Sequence, residues 1–359
     1  MSAFCYFGIY RPTWARDLVL LRGLKELGAP VLAVTDQTPG WRKYWNLARA
    51  YRRLNTPHGY VLVGYLSNVL VPLGRLLAHR PVIFNAGNAM YEGAVLDRQN
   101  YPVWSPRRYL IWLIDFAAFH SAHCTLVESA AQKKFIHQHF FVPERKLRVL
   151  FTGADEQVFY PDPAGKSSAI FTLVFRGALL PATGVGVVLE AARLLQNEPI
   201  NFLLIGRGPE LAAVKKTIQE FNLSKVELVT SFLTPALLRQ RMLAAHAMLG
   251  QFAAHPRLER TIQNKTFEAL ALGLPYITRD SASNRELLTD GENCLFVPPA
   301  DPAALAAKIL ALKNNPALAQ KLSQNGLALY RQSLTPRAIA ERFLLGHHIN
   351  TRAEAPNSG

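Results

Sequence analysis

The chain has 359 residues, 50% of them hydrophobic, enough to bury the cores of one or two α/β-sized domains. Its three cysteines, Cys5, Cys124 and Cys294, show neither CxxC nor paired spacing, which sets aside a disulfide framework and a cysteine zinc site and leads to the expectation of a reducing, cytoplasmic compartment. The formal net charge is +15 and unevenly spread: residues 1–152 hold 19 Lys and Arg against 8 Asp and Glu, a surplus of 11, while the remainder hold 21 against 17. Attraction to a polyanion, whether nucleic acid, anionic lipid or acidic glycan, therefore acts mainly on the first half.

The opening MSAFCYFGIYRP lacks a basic n-region, a long apolar h-region and a small-residue cleavage site, so it reads as a buried first strand rather than a signal peptide. Short apolar, β-branched runs follow: PVLAVTD, GYVLVGY, RPVIFNAG, CTLVES and KLRVLFTG. They alternate with helix-like stretches, as in a parallel sheet wrapped by helices. One such stretch is WRKYWNLARAYRRLN, residues 41–55. At about 100° per residue, Trp41, Tyr44, Trp45, Leu47, Ala48 and Tyr51 share one arc and Arg42, Arg49 and Arg53 another. Two readings stand for it: a helix docked on the sheet with a solvated basic side, or an interfacial helix with Trp and Tyr at headgroup level and arginines on anionic lipid.

The loop FNAGNAMYEGAVLDR follows a strand and offers Asn85, Asn88 and Tyr91, either as hydrogen-bonding groups for sugar hydroxyls or as ordinary turn residues. YLIWLIDFAAFH is interrupted by Asp115 well before the roughly 20 apolar residues that a bilayer crossing requires, so the chain is expected to be soluble or peripheral. His120 and His123, and His137 and His139, have metal-like spacing without carboxylates nearby in sequence, and read as surface histidines.

After the polar linker YPDPAGKSS the alternation restarts with IFTLVFRGALL, NFLLIGRG, KVELVTSF, AMLGQF and LPYITRD, a second doubly wound unit. Two such units create a cleft facing the carboxyl ends of both sets of strands. At one strand end, Gly206 and Gly208 in FLLIGRGPEL either let a base or phosphate approach the backbone or form a plain strand-to-helix turn. At another, NKTFEALALGLP sets Lys265 and Glu268 one helical turn apart, with Phe267, Leu270 and Ala271 turned toward packing. An exposed i, i+3 ion pair is the plain reading; the apolar flanks favour a covered helix whose charges serve a polar ligand. The final periodic segment, TPRAIAERFLLGHHI (335–349), is expected to be a helix packing back on the first domain, and NTRAEAPNSG (350–359) a disordered tail.

NKTFEALALGLPYIT followed by NRELLTDGENCLFVPPADPAALAAKIL resembles the C-terminal signature of family 4 glycosyltransferases of the GT-B fold. VLFTGADEQVFYP, LVFRGALLPATGVGVVLEAARLL and FLLIGRGPEL agree upstream in order and spacing, over about residues 120–315. The resemblance implies a GT-B protein of two Rossmann-like doubly wound domains facing across a cleft, with acceptor-side domain 1–152 and donor domain 153–334. It implies transfer of a sugar from a nucleotide-sugar donor to a glycan or lipid-linked acceptor, with retention and without metal or other cofactor. By position, Glu268 would bond the donor ribose and Lys265 sit near the diphosphate. Gly177 would admit the phosphates, and Gly206, Arg207 and Gly208 lie beside the base, with Asn264 also on the donor side. Glu286 matches a recurring position and reads equally well as a helix-start carboxylate.

The sequence departs from the family where cations are expected. Ala178 stands where many relatives carry arginine and Thr183 where they carry lysine, both neutralising the diphosphate; Arg260 stands where a sugar-holding glutamate is common, with Glu259 one residue away. The loop with Asn85 lacks the histidine that relatives often place on the donor sugar. Arg176, Arg207, Arg260 and Lys265 are the candidate replacements, since a departing diphosphate needs nearby charge more than one particular side chain. A non-catalytic homologue serving as binding or partner subunit is the alternative, and a basic nucleic-acid-binding protein a weaker one, because no recognition module is present. The expected partners are thus a nucleotide sugar, a glycan or lipid-linked acceptor and an anionic membrane surface met by residues 41–55, on the cytoplasmic face, with no nucleic acid.

Overall fold

The computed structural model describes residues 3–9, 11, 14–98, 100–162 and 170–346. Linker residues 163–168, the last three positions of the expected C-terminal helix and the expected tail at 350–359 lie outside them. The chain divides into two compact units, one running to Gly153 and resuming at Leu334, the other from Ala154 to Ser333.

In the first unit six strands, β1 (Phe4–Gly8), β2 (Val31–Thr35), β3 (Tyr60–Val63), β4 (Val82–Gly87), β5 (Cys124–Val127) and β6 (Leu147–Val149), form one sheet in the order β2-β1-β3-β4-β5-β6. Every pairing is parallel: Phe4 registers with Val31 on one side and Tyr60 on the other. Parallel strands are covered on both faces, which is why β1 and β4 are buried along their whole length. The helix Ala15–Glu26 packs against the helix Pro336–Gly346, and Gly23 makes the approach possible, because a Cβ there would overlap the Pro336 carbonyl.

The second unit repeats the arrangement. Strands β7 (Phe171–Arg176), β8 (Ile200–Ile205), β9 (Val226–Val229), β10 (Ala247–Leu249), β11 (Tyr276–Arg279) and β12 (Leu295–Val297) form a parallel sheet in the order β12-β11-β10-β7-β8-β9. Strand β12 was not anticipated from sequence; three residues between a turn and two prolines leave no periodicity to read. The chain moves outward from β7 through β8 and β9, then returns to β10 on the other side. That reversal makes β7 and β10 the switch point of the sheet, and open α/β sheets bind ligands outside the carboxyl ends of such a pair.

The candidate anion site at the switch point of the second sheet

The carboxyl ends of β7 and β10 are occupied by Arg176, Gly177 and Gly250. Across them lies the helix Asn264–Leu272, every residue of which is buried except Asn264. It packs on the helix Pro316–Ser333, where Gly326 lets Leu270 come close, so it is covered from outside as well as by the sheet. Its stop is chemical: Gly273 takes a left-handed conformation (φ 65°), the Gly273 N–H donates to Leu270 O and Leu274 N–H to Ala269 O.

Lys265 and Glu268 on this covered helix are 5% and 6% exposed. They do not form the exposed i, i+3 pair. Arg176, at the end of β7, donates to Glu268 Oε1 in an ion pair, while Glu268 Oε2 has no partner. Among the described residues no carboxylate pairs with Lys265. Its Nζ reaches only the Gly250 carbonyl, at 3.5 Å, and sits 3.9 Å from the centroid of the Phe175 ring. Burial pulls the Lys265 pKa down to about 7; Glu268 works against that shift and Arg176 adds to it.

Gly177 completes the contact, at φ 150°, a conformation that favours glycine; a Cβ there would lie 3.2 Å from Lys265 Nζ. The strand end thus leaves the ammonium room beside bare backbone. Gln251 Oε1, Thr261 Oγ1 and Glu268 Oε2 are buried without hydrogen-bond partners. Buried polar atoms are nearly always satisfied. Two cations, Lys265 and Arg176, sharing one carboxylate at a sheet switch point, beside an unmet polar atom, are suited to an anion carrying hydroxyl groups.

The other predicted donor residues distribute around this point. Gly206 and Gly208 serve the contact between two strand-to-helix turns: a Cβ on Gly206 would overlap the Gly177 carbonyl, and one on Gly208 the Leu179 carbonyl. The turns are stitched by Gly177 N–H to Ile205 O (3.0 Å) and Leu179 N–H to Arg207 O (2.8 Å). The plain-turn reading therefore accounts for both glycines. Arg207 and Asn264 are exposed, and Arg260 is half-buried. Ala178 is exposed, whereas Thr183 is buried and its hydroxyl donates to Leu180 O at 2.7 Å, so that position faces its own turn. Glu259 is engaged by Arg279 and by the Ala282 N–H. Glu286 follows the short helix Ala282–Arg285 as its C-terminal cap, so the helix-start reading does not hold.

In the first unit the expected sugar-side residues are held differently. Tyr91 packs in the core beside Phe140 and His139, and its hydroxyl accepts from Arg108 Nε at 3.2 Å. Asn85 is buried and donates to Asp17 Oδ1 at 2.8 Å, leaving its own Oδ1 without a partner; Asn88 is half-buried and its N–H turns back to Ala86 O. Asp17 also accepts from Tyr6 OH and the Tyr65 N–H, and burial raises its pKa. Arg16 beside it gives Nη1 to Leu150 O and Thr152 Oγ1, with Nε and Nη2 unpartnered. Sequence reading missed these two buried charges, which stand in the first turn of a helix that also carries Arg22, Lys25 and Glu26. His120, His123 and His137 all bond to backbone groups, at 2.8–2.9 Å.

Residues 170–315 match the family described as Glycosyl transferases group 1. Two curated relatives align over about half the chain. A lipopolysaccharide core biosynthesis glycosyltransferase, LpsD, from Rhizobium meliloti (strain 1021) is 25% identical over 174 residues, 48% of each chain. A 2-deoxystreptamine N-acetyl-D-glucosaminyltransferase from Niallia circulans is 19% identical over 175 residues, 48% of this chain and 44% of that protein. The matches thus span less than half the length of these relatives. Anabaena Alr3699/HepE, solved with UDP and glucose, superposes with a TM-score of 0.74 at 15% identity, covering 97% of this chain and 100% of that one. With two parallel six-stranded sheets flanked by helices, the fold is GT-B.

Proposed function

We propose that this chain is a glycosyltransferase of the family 4 type that moves a sugar, with retention, from a nucleotide donor held by the second unit to a glycan or lipid-linked acceptor on the first. The observation that carries the reading is Lys265: a buried amine at a sheet switch point, with bare glycine backbone beside it, whose neighbouring carboxylate, Glu268, is already ion-paired with Arg176. A nucleoside diphosphate supplies the missing negative charge. Glu268, one oxygen held by Arg176 and the other unmet, is suited to accept from a ribose hydroxyl. Two relatives are named as glycosyltransferases, and the HepE structure contains UDP, which supports the same ligand class here.

The chemistry in this reading is electrostatic. Charge accumulates on the departing diphosphate, and Lys265, Arg176 and Arg260 oppose it, with Arg207 alongside the donor, in place of the cations missing at Ala178 and Thr183. No protein nucleophile is invoked, and metal independence belongs to the proposal. Residues 41–55 belong to it too, as contact with an anionic cytoplasmic membrane surface.

The test is release of nucleoside diphosphate from UDP-, GDP-, ADP- and TDP-sugars, with and without chelator, and the anomeric configuration of the product by NMR. One sugar nucleotide consumed with retention, indifferent to chelator, is expected. Tight binding of a nucleotide sugar without turnover against glycan or lipid-linked acceptors would instead favour a non-catalytic homologue.

A further inference from the structure

The helices Arg42–Arg52, Leu70–Leu77 and Pro106–Ser121 follow β2, β3 and β4, three successive crossovers running the same way across the first sheet. Right-handed crossovers put all three on one face. The contacts agree, because Leu70–Leu77 packs against both of the others.

The outer surface of this layer is unusually apolar. Trp104 is 80% exposed and Val103 70%, in the turn before Pro106–Ser121; Tyr109, Leu110 and Leu113 on that helix are each more than half exposed. Leu76 projects from the middle helix, and Trp41 and Trp45 from the first, at 73% and 64%. The helix Pro106–Ser121 is inside out: its one carboxylate, Asp115, is fully buried, accepting from Asn68 Nδ2 at 2.6 Å and from the Tyr91 N–H at 2.7 Å. Positions 106, 109, 110, 113 and 117 span about 100° of arc, all apolar or aromatic.

Charge on the same face has one sign. Arg42, Arg49, Arg52, Arg75 and Arg107 are exposed, and the three helices carry no exposed carboxylate. A second copy docking face to face would set arginine against arginine with no acid to meet it. The interior of a protein interface is also depleted of charge, whereas here arginines alternate with Trp and Leu across the whole surface. Basic groups interleaved with aromatic and aliphatic side chains are the composition of a surface lying in the headgroup region of a bilayer.

We infer that this three-helix face docks on an anionic phospholipid surface, with Trp104, Leu110 and Leu113 entering the acyl boundary and the arginines engaging headgroup phosphates. The inference extends the reading of residues 41–55 from one helix to a face. It places the inserting element elsewhere, on the segment from Val103 to Leu113. Vesicle binding does not require sugar transfer, so this inference and the proposed reaction fail separately.

The test is sedimentation of the full chain with vesicles of phosphatidylglycerol and phosphatidylcholine, against phosphatidylcholine alone, beside a thermal melt. Wild type should bind the anionic vesicles and lose binding as salt rises. Each arginine replaced by glutamine should weaken binding about fivefold, so R42Q/R49Q/R107Q should release the protein. L110S/L113S should weaken it at least tenfold with only a small change in the melt, because both side chains are more than half exposed. The blue shift in tryptophan emission on adding vesicles should shrink in W104F. Failure of wild type to bind, equal binding to neutral vesicles, or an unaffected L110S/L113S would each overturn the inference. So would a concentration-dependent dimer that L110S/L113S dissociates without any vesicle binding by wild type.

Discussion

At the scale of the residue, Lys265 has the most to explain. Burying an ammonium beneath helix and sheet disfavours its charge, hence a pKa near 7 instead of the usual value near 10.5. The folded chain therefore binds fewer protons than the unfolded one between about pH 7 and pH 10.5, and stability from this group rises with pH across that window. Below about pH 7 the full penalty remains. Lys265→Met should accordingly stabilise the unliganded protein by roughly 1–4 kcal/mol at neutral pH and flatten this rise, read by denaturant melts at several pH values. A diphosphate reverses the logic, because an anion favours the charged lysine. Nucleotide affinity should be highest below about pH 7 and fall as pH rises, with proton uptake visible by calorimetry in buffers of different ionisation heat. The spacing of Lys265 and Glu268 on an apolar run was legible in the sequence. The pairing of Glu268 with Arg176 was not, since the two stand 92 positions apart and meet only once β7 and the helix are in place.

At the scale of the element, Gly206 joins two turns that sequence reading took separately. Because a Cβ would strike the Gly177 carbonyl, and backbone yields less readily than a side chain, Gly206→Ala should cost about 1–3 kcal/mol in a thermal or denaturant melt. It should also displace Gly177 and weaken nucleotide binding although residue 206 need not touch the ligand. Gly186→Ala, with open space around its Cβ in the helix Val185–Leu194, is the control expected to leave nucleotide binding unchanged and not to destabilise the fold. Strands were legible as short apolar runs, β6 and β10 included at three residues each; β12, set between a turn and two prolines, was not. The amphipathic helix Arg42–Arg52 was legible in outline. Which of its aromatics pack inward was not: Tyr44 and Tyr51 join the core cluster while Trp41 and Trp45 stay in water, a choice made by the sheet beneath. For Pro106–Ser121 the one charge within the apolar run, Asp115, points into the core, so the position of the charge did not mark the outward face.

At the scale of the whole molecule, alternation of strands and helices carried the fold class, because parallel sheets demand apolar strands and covering helices in strict succession. The C-terminal helix was expected to pack back on the first domain; the close approach at Gly23 that seats it against Ala15–Glu26 is what no periodicity announces. The central claim is that the second unit holds a nucleoside diphosphate at Lys265 and Glu268. Calorimetric titration of wild type, Lys265→Met and Glu268→Ala with UDP, GDP, ADP and TDP tests it most directly. The account predicts that one diphosphate binds wild type, that Glu268→Ala weakens it by about 1.5–3 kcal/mol, and that Lys265→Met weakens it while folding more stably. Binding of no diphosphate by wild type, or equal affinity in all three proteins, would contradict it.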